Sequence, residues 1–297
     1  MKYYARQALL ILPFVATPLL VGGGFYIRNF QAKSDCPILG TLSFVRKPLA
    51  LDLQSHRRKI RANMKLVASE SGREHWETPK GNFWVPSGHP SEMLDFVLAE
   101  ESMDIYNVAG LIRKGDTVLD CGADVGTFTR AALQHGAAKV VSIEPSPSKQ
   151  ECLRLTFARE VAEGKVILCP RGVWNEESTM YLDDDRLSES NGVSVPLTTI
   201  DKIVSDLRLE RLELIKMDIE GAEEKAIAGA QETIRRFKPT FTIASEHKPD
   251  DHSRLPFLLH RMVPDYRVFC GPCVPQFGRL QPYTIQISAD RSVQARL

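Results

Sequence analysis

The chain is poor in most features that would identify a protein at a glance. Six cysteines are scattered over 297 residues, too few and too dispersed for a small disulfide scaffold. No stretch of tens of residues repeats, which argues against a solenoid or propeller. There is no Walker A loop, no G-x-S-x-G, no H-E-x-x-H and no G-x-G-x-x-G, so the common signatures of nucleotide triphosphate, serine hydrolase, zinc protease and dinucleotide sites are missing. Net charge is nearly absent too, at +1. Core-forming residues, by contrast, occur in normal proportion. With 43% hydrophobic and 25% charged residues, wholesale disorder is ruled out.

The near-zero charge hides an asymmetry. Lys2, Arg6, Arg28 and Lys33 against Asp35 give residues 1–45 a net +3, and residues 46–65 carry +6, which leaves −8 for the remainder. An acidic body repels a phosphate backbone, so no nucleic-acid partner is expected. The basic part follows the most apolar run of the chain, residues 8–27. Twenty residues make a helix of about 30 Å, the thickness of a bilayer core. Two readings stay open: a single membrane anchor, or a cleaved signal peptide with a poor site near Gly22–Gly24. The anchor is preferred, because the run exceeds the ~7–15 residues of a signal core. Lys and Arg counts on the two flanks favour a cytoplasmic carboxyl-terminal body. The expected organisation is an anchor or signal at 1–34, a basic juxtamembrane connector at 35–80 and a catalytic domain at 81–297.

In the connector, residues 57–67 predict a short basic helix and 69–79 a loop. Residues 81–86 predict a strand and 92–109 a helix. From Asp116 onward, short apolar runs alternate with helical patterns. Strands are expected at 117–121, 139–144, 165–169, 213–218, 240–246, 266–270 and 283–288. Helices are expected at 126–135, 148–160, 222–237 and 255–262. Such alternation means a mostly parallel α/β sheet with helices on both faces, whose ligands bind beyond the carboxyl ends of the strands. Residues 178–195 and 248–283 read as loop-rich.

The first strand of this series ends in VLDCGADVGTF, residues 118–128, with Gly122 and Gly126 flanking a tight turn into a helix. Glycine permits positive φ and close approach of a ligand. The next strand ends in VVSIEP, placing Glu144 24 positions after Asp120. An acid there can accept hydrogen bonds from both hydroxyls of a ribose. Asp120 and Asp124 would repel a pyrophosphate and tolerate or attract a cationic sulfonium.

LDCGADVGTFT at 119–129, SIEPSP at 142–147 and IKMDIEGAE at 215–223 resemble the FkbM family of S-adenosylmethionine-dependent methyltransferases. GNFWVP, the 101–106 stretch, RGVWNEE, PLTTID and KPTFTIASEH extend the likeness over about residues 80–270. The resemblance implies a Rossmann-like seven-stranded sheet, S-adenosylmethionine as cofactor and, mostly, O-methylation of hydroxyl groups. Carried over by position, Asp120, Gly122, Ala123, Asp124, Gly126 and Thr127 would frame the methionine moiety. Glu144 and Pro145 would hold the ribose, and Arg171, Gly172 and Val173 would pass near the adenine. Asp218 would touch both cofactor and acceptor. The family commonly carries asparagine where this chain has Asp124, which adds a negative charge near the cofactor's own carboxylate.

Methyl transfer to a hydroxyl needs alignment and a base within hydrogen-bond reach. Asp218, Glu220 and His247 follow central strands and are the candidates, His247 having the ordinary pKa nearest neutrality. Lys216 shares a strand face with Asp218, so the two are expected to pair. Glu223 and Glu224 read as a solvated helix start. Cys270-Gly271-Pro272-Cys273 reads as a turn between late strands. His247, Asp250, Asp251 and His252 lack fixed ligand spacing, so no metal is expected. The expected acceptor is a small molecule, a glycan or a lipid-linked hydroxyl. The rival readings are a nucleotide-sugar or NAD-dependent enzyme on a similar sheet, and a catalytically inactive membrane-tethered binding protein.

Overall fold

A computed structural model describes residues 34–37, 40, 42, 44, 48–88, 91–183 and 185–290. Among the described residues no helix is long and apolar enough to cross a membrane, and the expected span at 8–27 lies outside them.

The connector is more ordered than its composition predicts. Helix α1 (Leu49–Arg61) starts after Pro48, with Asp52 in its first turn and Arg58, Lys59 and Arg61 in its last, charges that complement the helix dipole. It begins earlier than the expected 57–67 and stops at Arg61. The expected loop at 69–79 is instead part of an antiparallel meander of β1 (Lys65–Glu70), β2 (Arg73–Thr78) and β3 (Gly81–Pro86). Ser71 and Gly72 both have positive φ, the requirement of a two-residue hairpin turn. α1 and the meander share an apolar cluster of Ile60, Phe83, Val85, Leu94, Leu98 and Val125 with helix α2 (Ser91–Ser102). Arg57 and Arg61 both grip the buried Asp95 of α2, at 2.7 and 2.5 Å. Part of the basic charge is thus used inside the fold. The helix expected over 92–109 breaks after Ser102, where Asp104 and Asn107 take positive φ, and resumes as α3 (Val108–Leu111).

The carboxyl-terminal part is built on a seven-stranded sheet. β4 (Thr117–Cys121), α4 (Thr127–Gln134), β5 (Lys139–Ile143), α5 (Pro147–Thr156), α6 (Ala158–Ala162) and β6 (Val166–Cys169) form its first wing. A separate four-stranded sheet follows: β7 (Gly172–Val173), β8 (Ser178–Asp183), β9 (Arg186–Ser188) and β10 (Val193–Thr198). Then come α7 (Ile200–Asp206), β11 (Leu214–Met217), α8 (Glu223–Ala228), α9 (Gln231–Phe237), β12 (Thr240–Ala244), α10 (Asp251–Met262), β13 (Arg267–Cys270), a hairpin of β14 (Cys273–Gln276) and β15 (Arg279–Pro282), and β16 (Thr284–Ser288).

The strand order is β13-β16-β12-β11-β4-β5-β6. From β12 to β6 all neighbours are parallel, and β16 runs antiparallel to both β12 and β13. The central strands are buried on both faces, as apolar runs such as TVLDC and LIKM require. The order reverses between β4 and β11, and a ligand crevice opens at such a switch.

The regions read as loop-rich are not loops. Residues 178–195 supply β8, β9 and part of β10, in which Met180, Leu182, Val195 and Leu197 recur at period 2 and pack into a small cluster with Trp174 and Leu187. Pro196 falls on the opposite, exposed face of β10. Residues 248–283 hold the expected helix and strand, as α10 and β13, and in addition β14 and β15. Gly271-Pro272 does turn the chain after β13, as expected. Cys273, however, is bonded to Cys36, and Cys270 remains a free thiol.

Candidate active site

The site is assembled at the carboxyl ends of β4, β5, β11 and β12, and its two ends differ in construction. At the glycine-turn end, Gly122 has φ +78°, and a Cβ there would lie 1.9 Å from the carbonyl oxygen of Asp218. Gly126 has φ +92°, and its Cβ would collide with Phe157 and Leu153 at 2.3 and 2.9 Å. Both glycines are therefore demanded by chain-to-chain packing as well as by the turn. The ligand approach expected of them is not what fills their missing side chains. Asp124, also at positive φ, donates its N–H to Glu144 Oε2 at 3.0 Å, and Ser146 N–H donates to Glu144 Oε1 at 2.9 Å. Glu144 thereby ties the glycine turn to the end of β5. Burial, reinforced by the Asp124 charge and opposed by Lys149, pushes its carboxyl up to about 7.

Lys149, in the first turn of α5, escaped the sequence reading. Its ammonium lies 2.7 Å from Asp124 Oδ1 and also pairs with Asp185 on the β8–β9 turn. The charge that Asp124 adds to the family pattern is thus countered within the fold. Asp120 is fully buried and accepts the Thr129 hydroxyl at 2.7 Å, so it anchors the turn from below. Ala123 is buried, and Thr127 opens α4. Gly172 and Val173 pair with Leu197 and Thr198 of β10. A Cβ on Gly172 would meet Leu197 at 2.5 Å and Pro145 at 3.7 Å, which sets this segment beside the end of β5. Arg171 points outward, 3.8 Å from Glu177.

At the other end, Lys216 stands opposite Asp120 in the β4–β11 register. Its ammonium donates to Gly122 O at 2.7 Å and lies 3.4 Å from Asp120 and 3.9 Å from Asp218. The expected Lys216–Asp218 pair is present, but Asp120 is the nearer carboxylate. With 5% of its side chain exposed, Lys216 is a buried tie between β4 and β11. Asp218 projects past the end of β11 and accepts the Tyr106 hydroxyl at 2.8 Å. His247 Nε2 is 3.6 Å from Asp218 Oδ1 and 3.8 Å from Glu220 Oε2. Glu220 and Gly221 both take positive φ, which swings the chain over the crevice, and Arg186 of β9 lies 3.4 Å from Glu220.

Glu223 overturns its expected role as a solvated helix start. It is 1% exposed, accepts Ile219 N–H at 3.1 Å and accepts His247 Nδ1–H at 2.9 Å. Glu224 is the exposed member of the pair, bonded to Arg254. Burial would lower the pKa of His247, but the Glu223 hydrogen bond and charge, with Asp218 and Glu220, raise it to about 10. At neutral pH in the ligand-free chain this imidazole already carries its proton, so its ordinary pKa is no guide to a base role. Glu246, next in chain, is raised by burial to about 8 despite His247, with Asp218 adding to the rise. The crevice is short of positive charge.

This donor set fits a cation that carries a diol. Glu144 offers carboxylate acceptors beside the glycine turn, Asp218 lies across the switch from it, and the surplus acid favours a sulfonium over a pyrophosphate. Strand order and site together define an α/β methyltransferase-like fold. Residues 120–267 match the sequence model of the methyltransferase FkbM domain, and the chain belongs to that family. The 2-O-methyltransferase NoeI of Sinorhizobium fredii (strain NBRC 101917 / NGR234) is 27% identical over 166 residues, 48% of this chain and 68% of the relative. Methyltransferase FkbM from Methylobacillus flagellatus KT aligns at a TM-score of 0.47 with 16% identity, over 83% of this chain and 60% of that one. TYW2 of M. jannaschii, solved in complex with AdoMet, aligns at a TM-score of 0.40 with 13% identity, over 75% of this chain and 74% of that one.

Proposed function

We propose that the chain transfers the methyl group of S-adenosylmethionine to a hydroxyl of a small molecule, glycan or lipid-linked acceptor. The carrying observation is the pairing, across one strand switch, of Glu144 under the glycine turn with Asp218, Glu220 and His247 beyond β11 and β12. When bound, S-adenosylmethionine supplies a methyl on a sulfonium that is already a good leaving group. What remains for the chain is alignment and handling of the acceptor proton. Glu144 would accept the ribose hydroxyls, and the Gly122–Gly126 turn would seat the methionine end. Tyr106 and Lys216 hold Asp218 in place. Asp218 and Glu220 are the groups positioned to accept a hydrogen bond from the acceptor hydroxyl, with His247 between them. The acidic body supports an acceptor without a phosphate backbone. Lys149 weakens the case for an inactive protein, because its ammonium, shared with Asp185, offsets part of the extra charge of Asp124.

Calorimetry with S-adenosylhomocysteine is the direct test. Saturable binding is expected, and no heat at high micromolar ligand would reject the reading.

Placement at a membrane is part of the same proposal, supported by the apolar run at 8–27 and the basic residues after it. The flanking charges favour a cytoplasmic body, whereas the Cys36–Cys273 disulfide is a bond that persists in oxidising compartments. Alkylation of intact cells with and without prior reduction, followed by fractionation, decides between the two: a pair that reacts directly places the body in the cytoplasm, and a pair that reacts only after reduction places it on the opposite side.

A further inference from the structure

Asp218 Oδ1, Glu220 Oε2 and His247 Nε2 converge on one point at the acceptor end, all within 4.8 Å of one another. A divalent ion at about 2.0–2.2 Å from three donors at right angles holds them roughly 3 Å apart. The observed 3.6 and 3.8 Å separations from His247 need only a small contraction to reach this.

Two features separate the group from an ordinary acidic cluster. First, His247 is presented as a ligand is. Its Nδ1–H is given to Glu223, itself fixed by Ile219 N–H, and this leaves Nε2 facing the two carboxylates, where an incoming cation would displace its proton to solvent. Metal-binding histidines are almost always oriented by such a carboxylate on the other nitrogen. Second, the side chain is 7% exposed, and Nε2 lies beyond hydrogen-bond distance of either carboxylate. Glu223 Oε2 is buried with no hydrogen-bond partner, so the orienting carboxylate is directed at His247 through Oε1 alone. Tyr106 and Lys216 hold Asp218 from behind, leaving Oδ1 to the crevice.

We propose that Asp218, Glu220 and His247 form a divalent cation site that seats the acceptor, with Glu223 as the positioning residue behind the histidine. One imidazole with two carboxylates suits Mn²⁺, since oxygen donors favour Mg²⁺, Ca²⁺ and Mn²⁺ while imidazole favours the transition metals. The site departs from the sequence reading, which expected no metal, because only folding brings the β11 and β12 ends together. Its role rests on the methyltransferase reading. The ion would bind the acceptor oxygen and stabilise its developing negative charge. The hydroxyl proton leaves to solvent water, the oxygen–methyl bond forms as the carbon–sulfur bond breaks, and that bond's electron pair remains on sulfur as a thioether.

The test is Mn²⁺ binding to the chelator-treated full chain, followed by electron paramagnetic resonance and calorimetry with Mn²⁺ as the only added ligand. One ion per chain is expected. Asp218→Asn should abolish binding, and Glu223→Gln, which touches no metal, should weaken it about 10- to 100-fold. Should Glu223→Gln fail to fold by circular dichroism, Glu220→Gln at the half-buried rim tests a ligand instead and is expected to weaken Mn²⁺ binding while leaving S-adenosylhomocysteine binding in place. No binding at millimolar Mn²⁺, or binding unchanged in Asp218→Asn, overturns the proposal. S-adenosylhomocysteine binding measured in parallel keeps the two readings apart. Cofactor binding without Mn²⁺ binding rejects the metal alone, and Mn²⁺ binding without cofactor binding rejects the methyltransferase.

Discussion

The end of the crevice proposed for the cofactor and the end proposed for the acceptor are made differently. The cofactor end is local: Gly122, Asp124, Gly126, Glu144 and Lys149 fall within one β–α–β–α stretch, and backbone amides do much of the holding. The acceptor end is gathered from distant segments, with Tyr106, Lys216, Asp218, Glu220, Glu223 and His247 brought together by three elements and their loops. The first holds its charges in balance, Asp124 against Lys149. The second crowds carboxylates around one imidazole and leaves Glu246 raised to about 8 by burial. A local, balanced region suits a fixed ligand common to a family, whereas a crowded one assembled at long range can be tuned to a particular acceptor.

Substitutions can break or sharpen this contrast. The largest effect is expected at the seam. Gly122→Ala places a Cβ against Asp218 O at φ +78°, and strain plus overpacking should cost about 3 kcal/mol or more, read by urea unfolding, with both ends lost together. Next, Asp218→Asn should lower turnover about 100-fold or more while S-adenosylhomocysteine affinity stays within about threefold. Equal losses in both would mean that the two ends are one unit.

Glu144→Gln should do the converse, weakening S-adenosylhomocysteine about 10- to 100-fold through lost charge-assisted hydrogen bonds of roughly 1.5–3 kcal/mol. The pH profile gives the same residue a second check. Its folded pKa of about 7 lies above the unfolded carboxylate value of about 4.3. The native chain therefore keeps a proton that the unfolded chain releases, and stability contributed by this group falls as pH rises from the lower value through the higher. Ligand affinity should move the opposite way, rising as pH passes through about 7, and the rise should vanish in Glu144→Gln. The smallest effect belongs to Asp124→Asn. With Lys149 already 2.7 Å away and Asp124 one-quarter exposed, affinity should change by less than about 1 kcal/mol. Tenfold tighter binding would show that Lys149 does not compensate.

Legibility in the sequence followed the same division. Strands at 117–121 and 81–86 coincide with their expected bounds, because buried runs and glycine punctuation are local signals. Glu144 and the glycine turn were readable for the same reason. Tyr106 was visible only as part of a family-like stretch, and nothing near it in the chain announces a bond to Asp218. Glu223 was misread because a helix start rich in acid usually faces water. Here β12 folds His247 onto it. β8 to β10 were missed because their period-2 apolar positions, Met180 and Leu182, then Val195 and Leu197, come as short pairs separated by a polar stretch.

Order along the chain was enough to specify a parallel sheet, the turn after β4 and the acid after β5, since hydrophobic period and glycine placement act over a few residues. Which carboxylates meet His247, that Lys149 reaches Asp124, and that Cys273 joins Cys36 depended on strands and loops far apart in number being packed side by side. Electrostatic and covalent partners are chosen by distance in space, and that distance exists only once the sheet has closed.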